Sequence, residues 1–167
     1  CSSDLNHTEG NITFGERASI QTSVLGAVID AQGDIAFGAG ANIRTQEDQE
    51  DSYVRISSRG QTSFGENAFV TSGTSLDIIG NKGIFLDKGA VLQSKLEDGS
   101  KNHTSLVSEH GDIRLGENSV VQGQTAYIRT GDESGVGGGS IELGDNSQVS
   151  ARDNVSMNVT GDVVLDG

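Results

Sequence analysis

The sequence predicts an all-β chain that folds as a parallel β-helix, a solenoid in which short strands stack coil upon coil. Three observations predict this fold: a glycine-bounded phrase recurs along the chain, apolar residues alternate with period two, and proline is absent. Period-two alternation is typical of strands, because successive side chains of a strand point to opposite faces. The absence of proline fits strands in which every backbone N–H bonds to the next coil.

The recurring phrase sets the length of each coil. Its spacing of about 25 residues lies within the range of solenoid repeats, so we expect about six to seven coils of three short strands each. They would form one domain over 10–167 whose last coil is incomplete. Residues 1–9 show no alternation and are expected to form a polar tail or a cap. The copies of the phrase begin at Gly10, Gly33, Gly60, Lys82, Gly111, Gly139 and Gly161.

Strand one of each coil lies within the phrase and has two inward positions. Stacked coil upon coil, these positions give apolar columns, which burial at about 25 cal/mol per Å² can stabilise although only 33% of the residues are hydrophobic. This register predicts that Ile113→Asp unfolds the chain, whereas Arg114→Asp has little effect. The columns are Ile12, Ile35, Thr62, Ile84, Ile113, Ile141 and Val163, and Phe14, Phe37, Phe64, Leu86, Leu115, Leu143 and Leu165.

Strands two and three follow and precede the phrase, and both alternate with period two. Each therefore contributes a further inward column to the predicted core. The inward positions of strand two are Ile20, Ile43, Val70, Leu92, Val121 and Val149. Those of strand three are Ile29, Ile56, Ile78, Val107, Ile128 and Met157.

The corner between strands one and two is predicted to need a left-handed residue. Two positions after the closing glycine of the phrase stand Arg17, Gly40, Asn67, Asn118 and Asn146. Glycine and asparagine tolerate positive φ, so we expect that conformation in nearly every coil. The small Ala or Ser that follows is expected to fill the inside of the corner.

Two insertions separate strand two from strand three and are predicted to protrude from the same corner. They span 46–51 and 95–103, two coils or about 10 Å apart at the usual strand spacing. Loops inserted on one face of a solenoid often form its binding surface, and the alternative is that they are solvated loops without a ligand. A third insertion, 131–138, leaves a different corner. Candidate interaction residues are Glu47, Asp48, Glu50, Asp51, Lys95, Glu97, Asp98, Lys101 and His103.

Metal and catalytic sites find little support in the sequence. Asp48, Glu50 and Asp51 could hold Ca²⁺ weakly, but an acidic run is more often a solvated loop. Glu109 beside His110 could act as an acid/base pair, but glycosidic cleavage needs two carboxylates at a set separation or a comparable basic group. Glu109 is also expected to end an inward column. We therefore predict no catalytic residue, no bound metal and no cofactor.

A carboxylate recurs directly after the anchor glycine, at Asp34, Asp112 and Asp162. The same position also holds Asn, Gln and Ser in other coils. Turn chemistry therefore explains the recurrence better than a column of metal ligands does.

Each end of the chain carries a candidate site. Cys1 with the following Ser-Ser-Asp resembles the start of a mature bacterial lipoprotein and is a candidate lipid anchor; a tag remnant or a fragment boundary fits equally well. Val163, Val164 and Leu165 belong to a coil that stops in mid-repeat. This predicts either a piece of a longer β-helix or an end that stacks on another copy.

Composition restricts the classes of partner. Twenty-four acidic and eleven basic side chains give a formal charge of −13, which argues against nucleic acid and acidic membranes as partners. No apolar run reaches the length of a membrane-spanning helix, so direct membrane insertion is not expected. The single cysteine cannot form an internal disulfide.

The coils at 10–20 (Gly-Asn-Ile-Thr-Phe-Gly-Glu-Arg-Ala-Ser-Ile) and 111–121 (Gly-Asp-Ile-Arg-Leu-Gly-Glu-Asn-Ser-Val-Val) resemble those of bacterial filamentous-haemagglutinin-like adhesins and autotransporter passenger domains. The resemblance covers 10–167 and implies a right-handed β-helix, secreted or displayed on a bacterial cell surface, with no catalytic motif to carry over. We therefore expect a non-enzymatic structural or adhesion module whose insertion loops meet a cell-surface protein or glycan. The alternatives are a self-assembling fibre subunit that stacks end to end and, less favoured, a polysaccharide-cleaving enzyme.

Overall fold

The structure, a computed structural model, describes residues 3–22, 26–45, 52–95 and 102–166. Within these ranges the chain forms β-strands and no helix, and the strands pair in parallel. The strands are β1 (Ser3–Thr8), β2 (Ile12–Phe14), β3 (Ser19–Thr22), β4 (Ala27–Ala31), β5 (Ile35–Phe37), β6 (Asn42–Thr45), β7 (Val54–Ser58), β8 (Thr62–Phe64), β9 (Phe69–Ser72), β10 (Ser75–Gly80), β11 (Ile84–Leu86), β12 (Val91–Ser94), β13 (His103–Ser108), β14 (Ile113–Leu115), β15 (Val120–Thr130), β16 (Ile141–Leu143), β17 (Gln148–Asn158) and β18 (Val163–Leu165).

The recurring phrase forms a seven-stranded parallel sheet in the order β18-β16-β14-β11-β8-β5-β2. Equivalent residues of successive repeats lie opposite one another without a register shift, which confirms both predicted columns of strand one. Phe14, Phe37 and Phe64 stack with ring centroids 4.7 and 5.0 Å apart and nearly parallel planes. Such stacks add to the apolar burial that holds the core together.

Strands two and three share a second sheet of eleven strands. Its order is β1-β4-β7-β10-β13-β15-β12-β9-β6-β3, and β17 pairs with β15. In the earlier repeats the two strand positions are separate, whereas β15 and β17 each run through both and join the two rows. The two sheets enclose one apolar core, so the fold is an all-β stack of parallel strands of the solenoid or barrel-like type.

One predicted inward position is wrong. Leu106, and not Val107, lies opposite Ile78 and Ile128 and is fully buried, while Val107 is half-buried on the outer face. This repeat carries one additional residue between strand three and its anchor glycine, so counting back from the anchor moves the assignment by one position. The same one-residue displacement explains why the prediction that Glu109 ends an inward column is wrong. Glu109 lies half-buried just beyond β13.

Strand β1 lies where the sequence predicted a polar tail or cap. It pairs with β4 and extends the row of third strands, with Ser3 opposite Ala27 and Leu5 opposite Ile29. The register shifts between Leu5 and Thr8. An irregular pairing of this kind interrupts period-two alternation, so the pattern in the sequence missed the strand.

The predicted left-handed residue occurs at the corner between strands one and two. The φ angles of Arg17, Asn67, Asn118 and Asn146 lie between 54° and 57°, and that of Gly40 is 66°. The small residue that follows is buried inside the corner, as expected. These buried residues are Ala41, Ala68, Ala90 and Ser119.

The polar side chain after the anchor glycine bonds to the next repeat. Asn11 Oδ1 accepts a hydrogen bond from Asp34 N (2.8 Å), and Asp34 Oδ1 accepts one from Gln61 N (2.9 Å). A Cβ at Gly60, the anchor glycine that precedes Gln61, would meet the Asp34 carboxylate, which explains why this position holds glycine. The recurrence that turn chemistry was expected to explain is therefore a ladder between repeats. Further bonds of the same kind join Ser140 N to Asp112 Oδ1 (2.9 Å) and Asp162 N to Ser140 Oγ (3.1 Å).

Candidate functional site

The connections between strands two and three lie along one edge of the fold, here called the insertion corner. Strands β3, β6, β9 and β12 lie side by side, and so do β4, β7, β10 and β13. The connections that join the first row to the second therefore leave the fold in one row. The two predicted insertions, 46–51 and 95–103, start and end at this corner, with only β9 between their parent strands β6 and β12.

The shortest connections show how little chain the insertion corner requires. Between Ser72 at the end of β9 and Thr74 there is only Gly73, whose N–H donates to Thr45 Oγ1 at 3.1 Å. In β15 Gly123 adjoins Gln124 and the strand is not interrupted. A Cβ at Gly123 would come within 2.8 Å of the Thr125 carbonyl oxygen, so the uninterrupted turn depends on glycine.

The long connections interrupt the same position without changing the pairing on either side. Residues 46–51 lie between Thr45 and Ser52, which are equivalent to Ser72 and Thr74 by register. In the later repeat Lys95 occupies the place of Gly73, and 96–101 are inserted before Asn102. Loop length thus varies between repeats while the strand registers stay fixed.

Buried polar groups hold the base of the second loop. Asn102 Nδ2 donates to Lys95 O at 3.0 Å and closes the base. Thr104 Oγ1 donates to Gln122 O at 2.7 Å and accepts from Ser94 N at 3.1 Å. Because these groups are bonded, the polar edge is tolerated beside the apolar core. Buried polar residues along the corner are Thr45, Ser52, Thr71, Ser72, Ser94, Asn102 and Thr104.

Most of the predicted interaction residues lie outside the described residues. Lys95 is half-buried at the base of the second loop. His103 opens β13, and its Nε2 lies 3.1 Å from Asp77 Oδ1 on the neighbouring strand β10. Lys95 and His103 therefore flank the loop. The residues outside the described ranges are Glu47, Asp48, Glu50, Asp51, Glu97, Asp98 and Lys101, together with the candidate anchor Cys1.

The corner between strands one and two, here called the constant corner, has the same length in every repeat from β2 to β17. Its outer surface carries an ion pair between Lys88 Nζ and Glu117 Oε2 at 2.8 Å. The hydrogen bond to Glu117 raises the pKa of Lys88, and the same bond lowers the pKa of the Glu117 carboxyl. Both groups are exposed, so the pair contributes little to stability.

Two outward aromatic rings are covered by arginines. The Arg44 guanidinium lies 4.9 Å from the centroid of the Phe69 ring, and that of Arg114 lies 5.7 Å from the centroid of Phe85. These cation–π contacts occupy ring faces that a sugar would otherwise use. Tyr127, another outward aromatic side chain, lines a cleft.

The third insertion forms a folded loop whose shape depends on Asp132. Its Oδ1 accepts hydrogen bonds from Ser134 N (2.8 Å), Ser134 Oγ (2.7 Å) and Val136 N (2.9 Å). These bonds, that of the Ser134 hydroxyl foremost, lower the pKa of Asp132. Against β15 and the turn after β17 the loop encloses a cleft that sequence reasoning missed, because no periodic signal marks it.

The last strand of the seven-stranded sheet is exposed in this chain. Val163 is 51% exposed, Val164 40% and Leu165 71%. Among the described residues no group of three or more His, Cys, Asp or Glu could hold a metal ion. The described part of the chain likewise contains no helix with the length and apolar character needed to cross a membrane.

Comparisons with models of protein families, with curated proteins and with solved structures found no match to this chain. The geometry of its corners and its cleft is therefore the basis of the functional argument.

Proposed function

We propose that the chain is a right-handed β-helix of about six to seven coils that serves as a non-enzymatic structural or adhesion module outside the cell or on a bacterial cell surface. In this proposal the loops of the insertion corner contact a cell-surface protein or glycan. The contrast between the two corners carries the proposal: the constant corner keeps its length, whereas the insertion corner holds two residues between β9 and β10 and eight after each of β6 and β12. The resemblance to filamentous-haemagglutinin-like adhesins supports the same assignment.

Fixed strand registers allow loops to vary without disturbing the core. At the second loop the base residues Asn102 and Thr104 are buried and hydrogen-bonded, so the cost of that loop is confined to closing it. Loops on a rigid scaffold are where binding residues concentrate. The first loop carries four carboxylates (Glu47, Asp48, Glu50 and Asp51), so a partner with a basic or neutral surface fits it best.

Binding of the fluorescently labelled full chain to epithelial cells and to bacterial cells, measured by flow cytometry, tests the proposal. The test variant removes 96–101 and replaces 46–51 by one glycine, which reproduces the Ser72-Gly73-Thr74 connection at both positions. We expect saturable binding of the natural chain to one cell type and its loss in the variant. Unchanged far-ultraviolet dichroism would show that the variant retains the fold.

The matched control alters the constant corner instead. Lys88→Gln changes an exposed charged side chain away from the loops and should bind as the natural chain does. Binding that survives removal of both loops would contradict the proposal, as would the absence of saturable binding to either cell type. Release of reducing ends from uronic-acid polymers would indicate an enzyme instead.

A second candidate function is assembly into fibres. It is favoured by the exposed apolar side chains of Val163, Val164 and Leu165, which a second copy could cover by pairing its Ile12–Phe14 strand with them. Concentration-dependent elongation in electron micrographs that Val163→Lys abolishes would support it, because Val163 continues the inward column of Ile113 and Ile141. A monomer that persists at high concentration would exclude it.

A further inference from the structure

A cleft of about 510 Å³ lies beside the 131–138 loop, at a different edge of the fold from the insertion corner. Tyr127 and Arg129 lie on the outer face of β15, and Asn158 lies opposite Arg129 on β17. Thr130 at the end of β15, residues 132–135 of the loop and 159–160 after β17 complete the lining. Strands, a closed loop and a turn thus place one aromatic ring and one cation next to each other.

Arg129 is the unusual residue of this cleft. It is half-buried, its Nε is buried without a hydrogen-bond partner, and no ion pair joins it to a carboxylate in the described ranges. Arg114, on the other sheet, pairs instead with both Asp112 (3.2 Å) and Glu142 (3.0 Å). A partly buried guanidinium that forms no ion pair favours an anion, and its planar shape fits a carboxylate or sulfate well.

The other polar groups of the cleft are mainly acceptors. Asp132 stays ionised and is held by its own loop, and Glu133 is exposed beside it. Asn158 Nδ2 donates to Tyr127 Oη at 3.4 Å, which leaves its Oδ1 available. One cation among several acceptors suits a ligand that carries one anionic group and several hydroxyl donors, as an anionic sugar does.

We propose that this cleft binds one anionic sugar residue of a polysaccharide, a uronic acid or a sulfated sugar. The anionic group pairs with Arg129, the sugar ring lies against Tyr127, and sugar hydroxyls donate to Glu133 and to Asn158 Oδ1. The site stands on its own geometry and does not depend on the loops of the insertion corner. The net charge of −13 opposes a polyanion, so added salt should strengthen the binding of longer oligomers.

Nuclear magnetic resonance titration of the isotope-labelled full chain tests the site. The probes are tri-galacturonic acid, its neutral galactose counterpart and a sulfated galactose trisaccharide. We expect amide shifts confined to 127–135 and 158–160 with at least one anionic probe and none with the neutral probe. The two anionic probes then distinguish a carboxylate ligand from a sulfate ligand.

Two arginine variants test the role of the cation. Arg129→Gln should raise the dissociation constant about tenfold or more. Arg55→Gln removes an equal charge from an exposed position on the outer face of β7 and should leave the constant within about twofold. If Arg129→Gln does not fold, Tyr127→Leu takes its place, because it removes the ring that the sugar covers.

Four results would overturn the proposal: no shifts with either anionic probe, equal shifts with the neutral probe, shifts centred elsewhere, or equal weakening by both arginine variants. Cell binding through the loops of the insertion corner would be unaffected by any of them. Failure of this site is therefore distinguishable from failure of the proposed function.

Discussion

The constant corner and the insertion corner turn the chain by different means. At the constant corner, a left-handed residue and a buried small residue recur, and the number of residues between strands one and two does not change. At the insertion corner no left-handed residue occurs among the described residues, and the base of the second loop is held by buried hydroxyl and amide groups. The repeated backbone conformation of the constant corner fixes the number of residues in that turn. At the base of the second loop, hydrogen bonds hold the strand ends and leave the length of the connection free to vary.

Breaking the core that both corners share should have the largest effect. Ile113 is fully buried between Ile84 and Ile141, so Ile113→Asp places an unpaired charge inside the stack and should cost more than about 4 kcal/mol. Urea unfolding followed by far-ultraviolet dichroism measures the loss. A loss below about 1 kcal/mol, as small as surface substitutions give, would contradict the inward assignment.

Arg114, the outward neighbour of Ile113, needs a different substitution as the control for Ile113→Asp. The sequence predicted that Arg114→Asp has little effect, but Arg114 pairs with Asp112 and Glu142 and covers the Phe85 ring. An aspartate there would face two carboxylates. Arg114→Gln avoids that repulsion and should cost about 1 kcal/mol or less, because the pairs are exposed.

Crowding the constant corner should have the next largest effect. A Cβ at Gly65 would lie 2.7 Å from Ala39 N and 2.9 Å from Phe37 O of the preceding repeat, so Gly65→Ala should cost about 2–3 kcal/mol. Gly15 holds the same position in the first repeat, where a Cβ would meet no atom within 4 Å, so Gly15→Ala should cost less than about 0.5 kcal/mol. Equal losses in urea unfolding would show that the strain is not between repeats.

Substitutions of the left-handed residues should change stability less, and the direction of each change can be predicted. Asn67→Val puts a β-branched residue at φ 55° and should cost about 1–2 kcal/mol, whereas Asn67→Gly should be nearly neutral. Arg17 adopts the same conformation without being Asn or Gly, so Arg17→Gly should raise the melting temperature. A lower melting temperature for Arg17→Gly would indicate that its side chain contributes more than its backbone strain costs.

The constant corner could be predicted from the sequence because its chemistry recurs, and the rest of the molecule shows why other features could not. Asn67 and Asn118 stand at a fixed distance from a glycine, so one rule identifies both. The sequence predicts Val107 as the inward residue because a count back from Gly111 does not detect the one additional residue in this repeat. The Arg129 cleft depends on residues about 30 positions apart on neighbouring strands, and alternation of polarity carries no information about such polar contacts.

Shortening the insertion corner should have the smallest effect on stability. Deleting 96–101 joins Lys95 to Asn102 and reproduces the connection Ser72-Gly73-Thr74, so the strands on both sides keep their register. Loop closure entropy changes slowly with length, and the free energy of unfolding should change by less than about 1 kcal/mol. A matched deletion at the constant corner, of Glu117 and Asn118, removes the left-handed residue and should unfold the chain. Equal tolerance of both deletions in thermal unfolding would show that the two corners do not differ in what the fold requires of them.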